Sequence, residues 1–396
     1  MIDQGRLSPM QSGLVARPHL FLLEALSTVS GGQAVLVSLA AHLKEHYSLS
    51  ALLPGEGPLA QALRQHNTRC YFAPLGSYTL VRKTVTDMLN YAVRFPWLTL
   101  FTWRLIRRDR VDLVYANSAR TFTWGTLAAA LAGRPVLWHH HSLLADRKTL
   151  ALLQFIGRWR TVRRVIAVSE MAAAQFPSLK NKIVVIPTGV DTELFRPDPA
   201  ARTRIRTELG LSSGAFAVGM VGDLIPLKGQ HTLLEAAQTD SSGARYLVIG
   251  SARPGDDESN AYAARLHQMA GHNVIFTGRR EDLPAVLNAL DLLVIASTTE
   301  TGPLVLLEAL ACGVPVVSTP VGRAPELLPP ETLFPINDAA ALADRLQSWR
   351  ADPLRLQTAQ SAARTLAEKR LRLEQFHLRV RAEVERAITC SPLRRL

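Results

Sequence analysis

Cysteine is scarce in this chain, and what there is does not cluster. Cys70, Cys312 and Cys390 are the only three in 396 residues. They are odd in number and include no CxxC pair, which excludes a disulfide framework and a cysteine-built zinc site and points to a reducing compartment. Long apolar runs are missing as well. No stretch reaches the roughly 18 uninterrupted apolar residues of a spanning helix. Near the N-terminus, among Asp3, Arg6 and Arg17, the run from Leu20 to Leu23 is too short for the core of a secretory leader. A cytoplasmic location is therefore expected. Aromatic residues make up 6% of the chain and are not clustered with the basic residues as stacking platforms. With no helix-turn-helix, zinc-finger or RNP-like pattern either, no nucleic acid partner is expected.

Acidic residues are in short supply on one side only. Residues 1–190 hold 22 Lys and Arg against 9 Asp and Glu, a net of +13, while residues 191–396 hold 23 against 24, a net of −1; together these make the chain's +12. An excess confined to one half suits a face turned toward a polyanion. With nucleic acid set aside, an anionic membrane surface fits, at about 1 kcal/mol per basic residue near the leaflet.

Apolar sequence is what the chain has in quantity. With 47% hydrophobic and 20% charged residues it can bury large cores, and its length exceeds what one core holds, so two domains of roughly 200 residues are expected. Short β-rich runs at residues 19–25, 111–117, 135–140, 163–169 and 182–189 alternate with stretches of helical period. After the turn-rich segment 189–199 the alternation resumes, with runs at 216–222, 245–250, 273–278, 291–297 and 314–319. This is the βαβ pattern of parallel sheets covered on both faces. It predicts an α/β protein of two Rossmann-like, doubly wound domains, residues 1–190 and 191–372, facing across a cleft. Ligands in such sheets bind beyond the carboxyl ends of the strands.

The strand ends carry the candidate chemistry. Gly31 and Gly32 fall between a strand and an amphipathic helix, where glycine lets backbone amides approach an anion; a plain turn glycine is the alternative. No GxGxxG follows any strand. In "VLWHHHSLL", alternation puts His139 and His141 on one face and His140 on the other, with His141 at the cleft edge; substrate contact, strand-end polarity and a metal site are the three readings. Lys228 in "VGDLIPLKGQHTLLEAA" stands near a helix start, where the dipole disfavours a cation unless something negative shares the site, an exposed loop lysine being the alternative. In "ETGPLVLLEALACGVPVV", Glu300 ends a strand. Gly302 and Pro303 make a turn, the helix starts near Pro303 at a first helical position, and the amides of Leu304 and Val305 point at an anion. Glu308 lies further along that helix, roughly 12 Å on. A carboxylate at each end with amides between suits a nucleotide sugar, hydroxyls needing acceptors and the diphosphate donors. Pairing of Glu308 with an arginine is the alternative.

Glu300, seven residues, then Glu308, followed by "ALACGVPVVSTPVGRAPELL", resembles the retaining nucleotide-sugar glycosyltransferases of the GT-B fold, family 4 (glycosyl transferases group 1). "VIPTGVDTELFRP", "VGDLIPLKGQHTLLEA" and "VIFTGRREDLPAVLNALDLLVIAS" are similar to other blocks of that family, in the same order. The resemblance spans nearly the whole chain and is most specific over residues 183–328. It implies a hexosyltransferase that takes its sugar from a nucleoside-diphosphate donor, without a cofactor or metal, and passes it to a lipid-linked or polysaccharide acceptor. With the basic first half and the lack of a spanning segment, a cytoplasmic enzyme, peripheral on the inner face of the membrane, is expected. Residue by residue, it implies that His141, Glu300 and Lys228 serve catalysis: the histidine beside the reacting sugar, the carboxylate near the transferred sugar and the lysine on the diphosphate. Thr301, Gly302, Pro303, Leu304 and Val305 would contact sugar and phosphate, Glu308 the ribose, Gly278 and Arg279 the base, and Gly31, Gly32 and Gly222 the donor. Residues 373–396 would cross back onto the first domain. One position departs: Asp223 stands where the family usually has an arginine, which sets an acid near the diphosphate, and Arg323 is a candidate substitute. Two other classes stay open, a GT-B enzyme that isomerises or cleaves its nucleotide sugar without transfer and a catalytically silent partner subunit. Residues 85–110, with Trp97, Phe101, Trp103 and five arginines, read either as an amphipathic helix on anionic lipid or as an ordinary crossover helix.

Overall fold

The computed structural model describes residues 17–75, 85–212 and 214–389; of the positions named above, Asp3, Arg6 and Cys390 lie outside them. The first sheet holds seven strands, β1 (His19–Leu23), β2 (Ser48–Leu53), β3 (Arg69–Phe72), β4 (Leu113–Ala116), β5 (Val136–His140), β6 (Val162–Ala167) and β7 (Ile183–Val185), in the order β3-β2-β1-β4-β5-β6-β7. The second holds five, β8 (Ala217–Val221), β9 (Arg245–Ile249), β10 (Val274–Gly278), β11 (Leu292–Ile295) and β12 (Val316–Ser318), in the order β10-β9-β8-β11-β12. All their pairings are parallel. Two doubly wound α/β domains are thus present.

Strand β1 shows why the apolar runs are continuous. Its side chains alternate between two cores: Leu20 and Leu22 pack with Leu36, Leu39 and Tyr115, while Phe21 and Leu23 pack with Leu98, Phe122 and Trp138. A strand buried on both faces cannot alternate polar with apolar. Strands β2 and β3 do not stand out in the sequence because serines dilute the first and the second is a short, partly exposed edge.

In each sheet the strand order reverses once, between β1 and β4 and between β8 and β11. The crevice at such a switch point is where loops diverge and leave room for a ligand. Glu24 and Asn117 follow β1 and β4; Gly222, Asp223 and the segment leading to Glu300 follow β8 and β11.

The chain crosses between the domains twice, and the crossings lie side by side. Val190 N donates to Leu371 O at 2.7 Å and Leu373 N to Val190 O at 2.9 Å, forming a parallel bridge between Val190 and Arg372. A side chain at Gly189 would fall 2.7 Å from the Arg372 carbonyl oxygen, so the seam requires glycine there. Beyond the second crossing, the helix Leu373–Thr389 buries Phe376, Val380, Val384 and Ile388 in the core that holds Leu20 and Leu36, and Glu383 pairs with Arg164.

Candidate active site

On the second domain's side the site depends on one backbone conformation. The turn Pro226–Lys228 ends at Gly229, whose φ is +76° and where a Cβ would lie 2.2 Å from the Ala296 carbonyl oxygen. Only glycine lets this turn rest on the end of β11. Lys228 Nζ consequently reaches Glu300 Oε1 at 2.5 Å, which also accepts from Ser297 Oγ at 3.2 Å, and both partners are partly buried. Lys228 stands two residues before the helix Gln230–Thr239. The negative group that shares its site is Glu300. The Lys228 stem runs past Gly222, where a Cβ would lie 3.3 Å from Lys228 Cε.

The helix carrying the second glutamate is Leu304–Ala311. Pro303, at ψ 120°, is extended and caps it, so the first helical residue is Leu304, one later than the sequence predicts. The Leu304 and Val305 amides then belong to the first turn, whose N–H groups have no acceptor within the helix. Glu308 is partly buried and forms no ion pair among the described residues, so the expected alternative, an arginine partner, is not met. Burial pushes its carboxyl up to about 7. Thr301 Oγ1 donates to the His141 carbonyl oxygen at 2.5 Å, tying the two domains together. Arg323, buried, sits beside Gly302 and Pro303, with Nη1 3.4 Å from the Thr188 carbonyl oxygen and Nε 3.5 Å from Glu326.

Asp223 is not left as a bare acid. Its Oδ2 accepts from Arg253 Nε at 2.8 Å, a residue from the loop after β9 that no local sequence pattern marks. The acid and its arginine form a neutral pair, which lowers the cost of an acid near a diphosphate. Gly278, at φ +68°, ends β10 and its carbonyl accepts from Gly250 N at 2.9 Å; Arg279 beside it is exposed. No hydrogen bond or ion pair among the described residues joins these two to the Lys228–Glu300 pair.

On the first domain's side the three histidines split as strand alternation requires. His140 faces Phe176 and Gln175, while His139 and His141 share the other face with ring centroids 3.9 Å apart. All three are held neutral by burial, which puts His139 well below the usual imidazole range, His140 at about 4 and His141 at about 3. Gly31 and Gly32 open the helix Gly31–Leu43, capped by Ser30, and a Cβ at Gly32 would touch the His141 ring at 3.4 Å. His141 Nε2 lies 2.9 Å from Asn117 Oδ1, and Asn117 Nδ2 donates to Glu24 Oε2 at 2.7 Å. Glu24 and Asn117 escape a reading of the sequence, although each is a polar residue directly after an apolar strand at the switch point. Among the described residues, no group of three His, Cys, Asp or Glu stands at metal-ligating spacing.

A cavity of about 600 Å³ opens elsewhere, where Arg17, His19, Lys44, Arg69 and Arg108 gather at the opposite edge of the first sheet. None of the candidate residues lines it.

Two family descriptions match the chain, Glycosyltransferase Family 4 over residues 29–194 and Glycosyl transferases group 1 over residues 201–366. A GDP-mannose-dependent monoacylated alpha-(1-6)-phosphatidylinositol monomannoside mannosyltransferase of Corynebacterium glutamicum is 32% identical over 300 residues, covering 67% of this chain and 74% of that protein. The chain is a group 1 glycosyltransferase. A second relative of this glycosyltransferase is the UDP-Gal:alpha-D-GlcNAc-diphosphoundecaprenol alpha-1,3-galactosyltransferase of Escherichia coli, 26% identical over 291 residues, covering 69% of this chain and 71% of that protein. The D-inositol 3-phosphate glycosyltransferase of Segniliparus rotundus is 31% identical over 237 residues, which span 54% of this chain and only 52% of that protein. Among solved structures, HepE of Anabaena in complex with UDP and glucose superposes with a TM-score of 0.80 at 23% identity, covering 93% of this glycosyltransferase and 100% of that chain. Sucrose-phosphate synthase of Thermosynechococcus elongatus gives 0.78 at 21% identity, with 95% and 100% covered. The fold is GT-B.

Proposed function

We propose that this glycosyltransferase moves a hexose from a nucleoside-diphosphate sugar to a hydroxyl of a lipid-linked or polysaccharide acceptor, with retention of configuration and without a metal. The observation that carries the reading is the Lys228–Glu300 pair at the amino end of the helix Leu304–Ala311, in the cleft between the two switch points. A diphosphate entering there meets a cation and the first-turn amides of Leu304 and Val305, and it can draw Lys228 from Glu300 at little cost because one anion replaces another. Glu300, released, accepts hydrogen bonds from the hydroxyls of the transferred sugar. Glu308 accepts from the ribose.

As the bond between the anomeric carbon and the diphosphate oxygen breaks, negative charge grows on the leaving group, where Lys228 and the amides are already oriented. Such preorganised donors stabilise a transition state more than water can. The acceptor oxygen bonds to the anomeric carbon from the same face, and its proton passes to the departing diphosphate. Glu300 positions and forms no covalent intermediate.

A lipid-linked acceptor is supported by the relatives named for diphosphoundecaprenol and phosphatidylinositol substrates and by the outer face of the first domain. The helix Val85–Arg108 packs inward through Leu98, Leu105 and Ile106, as a crossover helix does, while Val93, Trp97 and Leu100 stay exposed with Arg104 on the same stripe. The helix Arg147–Gly157, on the far side of helix Ala119–Leu131, exposes Leu152 and Phe155. Exposed apolar side chains among arginines suit the interface of an anionic leaflet. Among the described residues no helix is long and apolar enough to cross a membrane, and we read the enzyme as peripheral on the cytoplasmic face.

Incubation of purified protein with a panel of UDP-, GDP- and ADP-sugars and lipid-diphosphate acceptors, with the product anomer read by NMR, tests the proposal. The expected product keeps the donor's anomeric configuration. An inverted product overturns retention, and release of free sugar or an isomer without a glycosylated acceptor overturns transfer.

A further inference from the structure

We propose that Glu24 and Asn117 are positioning residues that fix the tautomer of His141, holding its imidazole in the Nε2–H form with Nδ1 as the acceptor.

Glu24 is fully buried at the end of β1. Its Oε1 accepts from the Ala25 and Leu26 amides at 2.6 and 3.2 Å, and its Oε2 from Asn117 Nδ2 at 2.7 Å. The Gln33 side chain also bonds to it. Burial raises its pKa, and these hydrogen bonds oppose the rise. Each neighbour whose role is fixed by these contacts is a donor, an arrangement that suits a carboxylate and offers nothing to a carboxyl O–H.

Asn117 is oriented by that carboxylate. Its Nδ2 gives one hydrogen to Glu24 and the other to the Gly32 carbonyl oxygen at 3.2 Å. Turned over, the carboxamide would set its own oxygen against two oxygens, so the side-chain assignment follows from the partners. Oδ1 must therefore face His141 Nε2, at 2.9 Å. Two acceptors cannot bond to each other, so Nε2 carries the hydrogen. Because burial keeps the ring neutral, with its pKa at about 3, the remaining lone pair is on Nδ1.

The chain of contacts therefore begins at a backbone-anchored carboxylate and ends at the ring that the family resemblance places beside the reacting sugar. Its catalytic consequence rests on the function proposed above: a hydroxyl-bearing sugar would find an acceptor at Nδ1, which the other tautomer would make a donor.

Long-range ¹H–¹⁵N spectra of histidine-labelled protein, with His141 assigned by its loss in His141→Gln, read the tautomer directly. The parent is expected to show the Nε2–H pattern. Asn117→Ala should shift His141 toward a mixture and lower kcat roughly 10- to 100-fold, with donor KM held within about threefold. An Nδ1–H parent overturns the proposal, and needs no variant to fold. Unchanged spectra and kcat in a folded Asn117→Ala overturn it as well. The spectra do not depend on turnover, so an Nε2–H parent that loses the pattern in Asn117→Ala yet transfers no sugar would support the tautomer assignment and defeat the functional reading alone.

Discussion

The first domain carries the chain's positive excess, +13 over residues 1–190, yet the side chain it turns toward the cleft, His141, is a neutral imidazole held below its usual pKa range. The second half of the chain, residues 191–396, is almost balanced at −1, and on the proposed reading it is the half that presents Lys228, Glu300 and Glu308 to the substrate. On that reading, bulk charge and working charge lie on opposite sides. Arg104 is exposed on the stripe of Trp97 and Leu100, and Arg158 is exposed after the helix that bears Phe155, where charge acts on a surface through long-range attraction. In the proposed mechanism, charge in the cleft acts at contact distance on one bond, and a few residues suffice. A domain's net charge therefore describes what it approaches, and says little about the chemistry in its crevice.

The contrast would break soonest at Lys228. Lys228→Ala should lower the transfer rate about 100- to 1,000-fold while the protein stays folded by circular dichroism, since it removes a preorganised donor from the developing charge. A parental rate would show that the second domain's charge is not the working one.

Glu308 sharpens the comparison through pH, with opposite signs for two measurements. Its carboxyl is raised by burial to about 7, so the folded state favours the neutral form. The stability it contributes is full below the unfolded value and is lost as pH rises through about 7, by up to about 3 kcal/mol across the window. Relative to Glu308→Gln, urea midpoints of the parent should fall over that range. Donor affinity should instead rise as pH passes 7, because only the carboxylate accepts from both ribose hydroxyls, and titration calorimetry of Glu308→Gln should lose that rise.

Smaller effects are expected at the Asp223–Arg253 pair. Arg253→Ala leaves an unpaired acid near the diphosphate and should weaken donor binding about fivefold; adding Asp223→Asn should restore it to within about twofold. The smallest effect on chemistry belongs to the outer face. Trp97→Ser with Arg104→Glu should cut flotation with anionic vesicles at low salt and leave transfer to a water-soluble acceptor as it was. Parental flotation by that variant would remove the membrane reading of the first domain.

Much of the architecture was readable because both sheets are buried on two faces, so that runs such as "HLFLL" and "LLVI" stand out against helical stretches. The edge strand β3 is exposed enough to lose that contrast. Lys228, Glu300 and Glu308 could be found because charge next to turn glycines or inside an apolar run violates a local expectation. Glu24 and Asn117 stand at strand ends and Arg253 in a loop, where a polar residue is ordinary. Asn117 meets Glu24 across 93 residues of sequence, where the strand order reverses between β1 and β4, and Arg253 meets Asp223 across 30, through the pairing of β9 with β8. The first helical residue after Pro303 was misplaced by one for a smaller reason, since proline's fixed φ suits a cap as well as a first turn.

The seam where Val190 and Arg372 bond in parallel makes the outgoing and returning strands of chain behave as one pivot. Two separate linkers would let the lobes slide as well as tilt; stitched together, they allow chiefly a swing about a line through both residues. Opening for product exit then has a single coordinate, whose first toll is the Thr301–His141 bond. Spin labels on the two lobes should record one distance that lengthens and shortens as nucleotide leaves and returns.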